Sequence, residues 1–354
     1  MKIGDTNIDK RALCFYEKNY DVVDTPNFND QTRLLKSNNG LKYIGVKRKT
    51  CRFCGKSEPD VSFIEDPHLF PESIGNKAYL SPYECDTCNG KFGRGIENDY
   101  GNYFQFYHSF AGIKGKRKIP KFKSRDGVTD CNGIFHPNFE AFWVTKDPNN
   151  PDERYFIVVQ NKETSSFKDE SNDIKFEEII PGCCPIAVYK TLVKMAISGM
   201  SFTELVHFKH TIEWILDTNH VNIFSINRLI VRYVMISNVT KYPHFIIYKR
   251  KPCVWGIPYM LFNLTYGIFS MLIEVPRDNE HITQDINSVP FPPIHFYTSS
   301  IGCWDLSSVK LEPGSKHSIS FHYDNSTEIT DEVGMRIEGG KRIFKHPNFT
   351  PNNV

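Results

Sequence analysis

Two C-x-x-C pairs, Cys51-Arg52-Phe53-Cys54 and Cys85-Asp86-Thr87-Cys88, are separated by thirty residues. They constrain this chain more than any other feature. Ten cysteines placed at random in 354 residues would give about 0.3 such pairs. Four thiolates in this arrangement suit a tetrahedral Zn2+ with no open position, which makes the metal structural. Closing the intervening loop costs about 3–4 kcal/mol of chain entropy. A structural zinc site returns about 10–16 kcal/mol at neutral pH, so the metal wins. The other cysteines, the adjacent Cys183 and Cys184 and the isolated Cys14, Cys131, Cys253 and Cys303, are expected as buried thiols.

The remainder of the chain has the makings of ordinary cores. At 40% hydrophobic and 24% charged, it is neither a disordered chain nor a small disulfide scaffold. The 43 basic and 41 acidic residues nearly cancel, so net charge says nothing about a nucleic-acid partner. The start, Met1-Lys2-Ile3-Gly4-Asp5, lacks the apolar stretch of a signal peptide. The longest apolar neighbourhoods, Leu229–Ile236 and Tyr259–Val275, are interrupted by Arg, Asn, Thr and Glu, and neither resembles a membrane span. A soluble, cytoplasmic protein is the expectation.

Three stretches differ in character. Residues 1–40 balance six basic against six acidic side chains, with a helix expected around Lys10–Lys18 and a loop at Asn27–Asn39. Residues 41–125 hold both cysteine pairs and carry 16 basic against 9 acidic residues. Residues 126–354 read as an α+β domain, two helices on a mainly antiparallel sheet. Its first two strands are expected at Ala141–Val144 and Tyr155–Val159, flanking a loop at Asp147–Pro151. Pro185 suits a first helical turn, and Val188, Leu192, Met195 and Ala196 recur at helical spacing. A second helix is expected with Thr203 as N-cap and Leu205, Phe208, Ile212 and Ile215 on one face. Strands are expected at Leu229–Ser237, Phe245–Tyr248, Tyr259–Tyr266, Phe269–Val275 and His295–Thr298.

The loop between the cysteine pairs contains His68-Leu69-Phe70-Pro71-Glu72-Ser73-Ile74-Gly75-Asn76, and the second pair continues as Cys88-Asn89-Gly90-Lys91-Phe92-Gly93, with Glu97 four residues on. With Cys51-Arg52-Phe53-Cys54-Gly55 and Glu84-Cys85, these blocks resemble the HNH endonucleases of the ββα-metal fold, in particular a zinc-bearing bacterial group. The resemblance covers about 50 residues. It implies an N-terminal finger, clasped by zinc on Cys51, Cys54, Cys85 and Cys88, that hydrolyses phosphodiester bonds. It further implies His68 as general base, Asn89 as a ligand of a catalytic Mg2+ or Mn2+, and Asn76 as the residue bonding across the loop to hold the base. Family members usually carry an acidic metal ligand directly before the base. Here that position is Pro67, with Glu65 and Asp66 just upstream, so either Asp66 reaches in as a ligand, or the metal leans on Asn89, water and the scissile phosphate, or activity is lost.

Downstream, Lys114, Lys116, Arg117, Lys118, Lys121, Lys123 and Arg125 fall in thirteen residues without an acid. Pro120 disfavours a helix there, and an extended arm contacting phosphates is expected. The preceding aromatics Tyr103, Phe104, Phe106, Tyr107 and Phe110 are expected in the core, and His207, His210 and His244 in structural roles.

Residues 41–125 are thus expected as the nuclease domain with its basic arm, and 126–354 as a targeting or regulatory domain. Double-stranded DNA is the expected substrate, with a regulatory partner or self-association and no membrane. The resemblance also implies a restriction or anti-phage role. Two alternatives stay open: a zinc-stabilised nucleic-acid-binding module with a degenerate site, and a structural zinc domain serving assembly.

Overall fold

The runs expected as four strands between Leu229 and Val275 form two long ones, Ile230–Arg250 and Met260–Glu274. The computed structural model describes residues 6–24, 34–36, 42–44, 49–77, 79–116, 118–123, 128–130, 133–136, 139–145, 154–160, 173–224, 228–278, 285–293, 301–322, 335–338 and 341–344. The chain is a mixture of helices and antiparallel sheet, with the cysteine-bearing domain near the N-terminus and a larger sheet-rich region after it. It divides into two compact units, residues 1–120 with 180–315, and residues 121–179 with 316–354.

In the first unit, β1 (Tyr20–Asp24), β2 (Ile230–Arg250), β3 (Met260–Glu274) and β4 (Gly302–Asp305) form an antiparallel sheet. Register shifts between Met235 and His244 interrupt the pairing of β2 without ending the strand, so local turn signals there do not separate two strands. All of β3 is buried except Thr265, which is partly covered. That explains its near-continuous apolar sequence, since a strand covered on both faces has no solvent side to alternate with. Helix α1 (Thr6–Asn19) contributes Tyr16, which packs in a cluster with Tyr248, Leu261 and Leu272.

Helix α2 (Asp86–Arg94) begins after Cys85 and contains Cys88, and α3 (Ile96–Tyr103) and α4 (Gln105–Phe110) follow it. The five aromatics between Tyr103 and Phe110 are buried, as expected of core residues. Tyr100 Oη meets Tyr266 Oη of β3 at 2.7 Å.

Helix α5 (Pro185–Gly199) starts at the proline, and every one of its residues is buried. An amphipathic surface helix would leave Lys190 and Lys194 in water. Here Lys190 donates to the carbonyl of Asp217 at 2.7 Å, and burial lowers its pKa to about 8. Lys194 enters the site described below.

Helix α6 (Lys209–Leu216) is shorter than expected, and Thr203 is not its cap. A 3₁₀ turn, Leu205–His207, precedes it. The helix start is satisfied from far along the chain: the Asp278 carboxylate accepts the amides of His210, at 3.0 and 3.1 Å, and Thr211, at 3.3 Å. That is the work of an N-cap side chain without the sequence position of one.

The second unit is built of antiparallel ladders. Phe122–Lys123, Val128–Asp130, Gly133–His136, Phe139–Thr145 and Arg154–Gln160 pair in chain order. Asp173–Ile179 pairs with Lys316–His322, and Met335–Glu338 with Lys341–Phe344.

Leu34–Lys36 is a strand paired with Lys42–Ile44, within the stretch expected as a loop. The lone cysteines are not core thiols: Cys14, Cys253 and Cys303 are exposed, and Cys183 and Cys184 partly so. Cys303 lies on β4, where alternate side chains turn outward. Cys131, the loop at 147–151 and the strand expected at 295–298 lie outside the described residues. No helix among the described residues is long and apolar enough to cross a membrane.

Candidate active site

The four cysteines converge. The sulfurs of Cys51, Cys54, Cys85 and Cys88 all lie within 4.8 Å of one another, with Cys54 and Cys85 at 3.8 Å. Gly55 makes the first knuckle possible, since it turns at φ +71° and its amide returns to the Cys51 carbonyl at 3.0 Å. The second knuckle continues into α2, whose first residue follows Cys85 directly. A hydrogen bond from Cys88 draws Cys51 down to about 4. The same bond, with burial, pushes Cys88 up, and burial raises Cys85 to about 11. Four crowded thiols therefore cannot all ionise unaided. A divalent cation supplies the missing positive charge, so the donor set fits a structural zinc.

Arg52 ties this clasp to α5. Its buried guanidinium donates to the carbonyls of Ile197, Ser198 (2.9 Å) and Met200 (3.0 Å), which closes the helix's C-terminal end. It lies 4.8 Å from the ring centres of both Tyr83 and Phe202. Lys194, also from α5, sits between Glu84 and Glu97, 3.0 Å from each, and its side chain and that of Glu84 are almost wholly buried. Burial raises the Glu84 carboxyl to about 7. Burial also works against charge on Lys194, but the two carboxylates outweigh it and raise its pKa.

His68 lies opposite Leu80 in a short antiparallel ladder. The Leu69 amide donates to Tyr79 at 3.0 Å and the Ser81 amide to Pro67 at 2.7 Å. Between these rungs the chain makes a 3₁₀ turn, Glu72–Ile74, ended by Gly75 at φ +84°. Asn76 follows, fully buried. Its Nδ2 donates to the carbonyls of Phe70 (2.9 Å) and Tyr79 (2.8 Å), and its Oδ1 accepts the Tyr79 amide (2.9 Å). Asn76 thus braces the loop that carries His68.

The imidazole is about one-quarter exposed, with Nε2 3.9 Å from Glu72 Oε1. Its Nδ1 is buried without a hydrogen-bond partner among the described residues. Burial lowers the His68 pKa, and Glu72 opposes the shift. The ring is therefore kept neutral, the form able to accept a proton.

Asn89 lies within α2, and its Nδ2 donates to Glu65 Oε2 at 2.5 Å. The contact is prepared by Asp86, whose carboxylate accepts the amides of Ile64 (3.0 Å) and Glu65 (2.9 Å). Glu65 and Asp66 are both exposed. The Asn89 carboxamide thus meets one solvent-facing carboxylate, that of Glu65. Sequence reasoning singled out Asp66 and passed over Glu65. The Asp86 hydrogen bonds that direct Glu65 leave no trace in local spacing.

In the first unit, Lys114, Lys116 and Lys118 are exposed. Lys121 and Lys123, in the second unit, are exposed as well, and Lys123 ends a short strand. Arg117 and Arg125 lie outside the described residues. Lys77 Nζ donates to the Gly115 carbonyl at 2.8 Å and lies 3.3 Å from Glu72 Oε1.

Searches of curated proteins and of solved structures found no significant match to the chain. One family model does match, and it falls on the clasp, the His68 loop and the helices after it: residues 51–105 match the HNH endonuclease family, so the chain carries an HNH endonuclease domain near its N-terminus.

Proposed function

We propose that this protein is a metal-dependent endonuclease that hydrolyses phosphodiester bonds in DNA. The observation that carries the proposal is the bracing of His68. A half-buried neutral imidazole sits on a ladder locked by Asn76, inside a loop whose two ends are held by the cysteine cluster. Catalytic proton transfer needs a group held this tightly.

In this reading His68 takes a proton from water as it attacks phosphorus. Asn76 is a positioning residue, fixing the loop through the Phe70 and Tyr79 carbonyls. Asn89, with Glu65 and Asp66, would hold a divalent cation, which when bound would supply counter-charge to the departing 3′-oxygen. Zinc held by the four cysteines would join the His68 loop to α2, which bears Asn89. The exposed lysines of the arm hold the phosphate backbone without reading sequence. The second unit, with the remainder of the sheet-rich region, is assigned to targeting or regulation, consistent with a restriction or anti-phage effector controlled by a partner or by self-association in the cytoplasm.

The second reading is a binding module that does not cleave, and Pro67 is the observation in its favour, because it offers no ligand directly before His68. Plasmid relaxation with Mg2+ or Mn2+ separates the two. Wild type should nick or linearise the plasmid, and His68→Ala should lose at least about 100-fold in rate. Binding without cleavage by wild type would establish the second reading, and equal rates would remove His68 from the role of base.

A further inference from the structure

The basic arm and the imidazole are joined by a short chain of contacts. Glu72 Oε1 lies 3.9 Å from His68 Nε2. Lys77 Nζ lies 3.3 Å from the same Glu72 oxygen, and its other contact is the Gly115 carbonyl at 2.8 Å. The arm's backbone also rests against the turn that carries Glu72. A side chain placed on Gly115 would lie 3.8 Å from Ser73 Cα and 4.0 Å from the Glu72 carbonyl. Lys114 and Lys116, on either side of this anchor, face solvent, as does Lys118.

From this we infer that Lys77 and Glu72 are positioning residues that register a phosphodiester strand, bound on Lys114, Lys116 and Lys118, to the imidazole of His68. The inference rests on the endonuclease reading and adds to it how the substrate is aligned. The lysines divide into two kinds. The arm lysines are open to water and available to phosphates, and they set affinity and its dependence on salt. The Lys77 ammonium is engaged by a backbone carbonyl and neutralised by Glu72, so it adds little attraction for a polyanion. Its contribution is geometric: it fixes the distance between arm and base, and small misplacements of a bound substrate are costly in rate.

The test separates binding from turnover. Affinity is measured on the zinc-loaded full chain with a fluorescein-labelled DNA duplex in Ca2+, across a salt series. Single-turnover cleavage at saturating enzyme is measured in Mg2+ or Mn2+. For Lys77→Met we expect affinity within about twofold of wild type and an unchanged salt slope. We expect the cleavage rate to fall about tenfold or more. Lys77→Arg, which keeps a donor for both partners, should recover most of the rate. The triple variant Lys114→Ala, Lys116→Ala, Lys118→Ala should instead weaken binding and reduce the salt slope by about three. Zinc content and thermal midpoint accompany each variant, and Glu72→Gln gives a second route should Lys77→Met fold poorly, with the same expected split between rate and affinity.

Unchanged cleavage by Lys77→Met would overturn the inference. So would a loss of affinity matching that of the triple variant, or an absence of rescue by arginine. For Glu72→Gln, an unchanged rate, or an affinity loss equal to its rate loss, would overturn it as well. A wild-type protein that binds the duplex yet cleaves nothing in either metal would defeat the endonuclease reading itself, a result distinct from all of these.

Discussion

Arg52, in the first cysteine knuckle, donates a 3.0 Å hydrogen bond to the carbonyl of Met200, at the end of α5. With its bonds to Ile197 and Ser198, this makes one side chain both part of the metal clasp and the closure of a buried helix. Arg52→Ala would leave those carbonyls without their donor in a dry environment. It should destabilise the first unit by about 2–4 kcal/mol. Urea unfolding followed by tryptophan fluorescence, with Trp214 and Trp304 as reporters, measures this, and a change below about 0.5 kcal/mol would be at odds with a buried donor.

Removing zinc should unfold the finger and leave the long sheet to report separately. Cys85→Ser should lower bound zinc from one per chain to a small fraction, read by elemental analysis. Its thermal transition should become broader and lower, because the metal stabilises the fold directly. Retention of stoichiometric zinc by this variant would mean that the clustered sulfurs do not form the metal site.

Lys194 is the counter-charge for Glu84 and Glu97. Lys194→Met should cost about 3–5 kcal/mol, the usual consequence of stranding buried carboxylates. Adding Glu84→Gln should restore part of the loss, since a neutral amide removes one uncompensated charge. If the double variant is less stable than the single one by calorimetry, the ion pair is not the reason for the cost.

With His68 as the proposed base, its burial sets the expected pH dependence of cleavage. The ring acts as a base only when neutral, and burial lowers its pKa below the ordinary 6.5. The acid limb of the pH–rate profile should therefore lie below pH 6.5. Glu72→Gln removes the opposing carboxylate and should move that limb lower still. A shift to higher pH in this variant would contradict the arrangement at 3.9 Å.

Glu65 and Asp66 make different demands on a cation titration. Glu65 touches Asn89 at 2.5 Å, so Glu65→Gln should weaken Mn2+ binding about tenfold or more, measured by electron paramagnetic resonance on zinc-loaded protein. Asp66→Asn should weaken it less. The reverse order would return the leading role to Asp66, as the sequence alone suggests.

The parts legible in the sequence were those set by local spacing. The two knuckles, the His68 loop and the start of α5 at Pro185 each depend on residues a few positions apart. The cap on α6 is different, because Asp278 lies 68 residues from His210, and nothing near Thr203 signals that its own hydroxyl pairs with Ser201 instead of capping the helix. Lys194 is equally hidden: beside apolar residues that recur at helical spacing, a lysine belongs in water, and only the arrival of Glu84 and Glu97 reverses that. The exposure of Cys14, Cys253 and Cys303 reflects the same limit, since residue type favours burial while the strand face or helix side decides it.

The dependence of the finger on α5 has a consequence for how such a protein can change. A segment that ended near residue 125 would keep all four thiols and the histidine, yet it would carry Glu84 without its ammonium and Arg52 without its helix. The stretch that matches the HNH family is therefore not a transferable cassette. Recombination that moved it alone would have to bring, or reinvent, a lysine and a helix terminus from a stretch of gene far downstream.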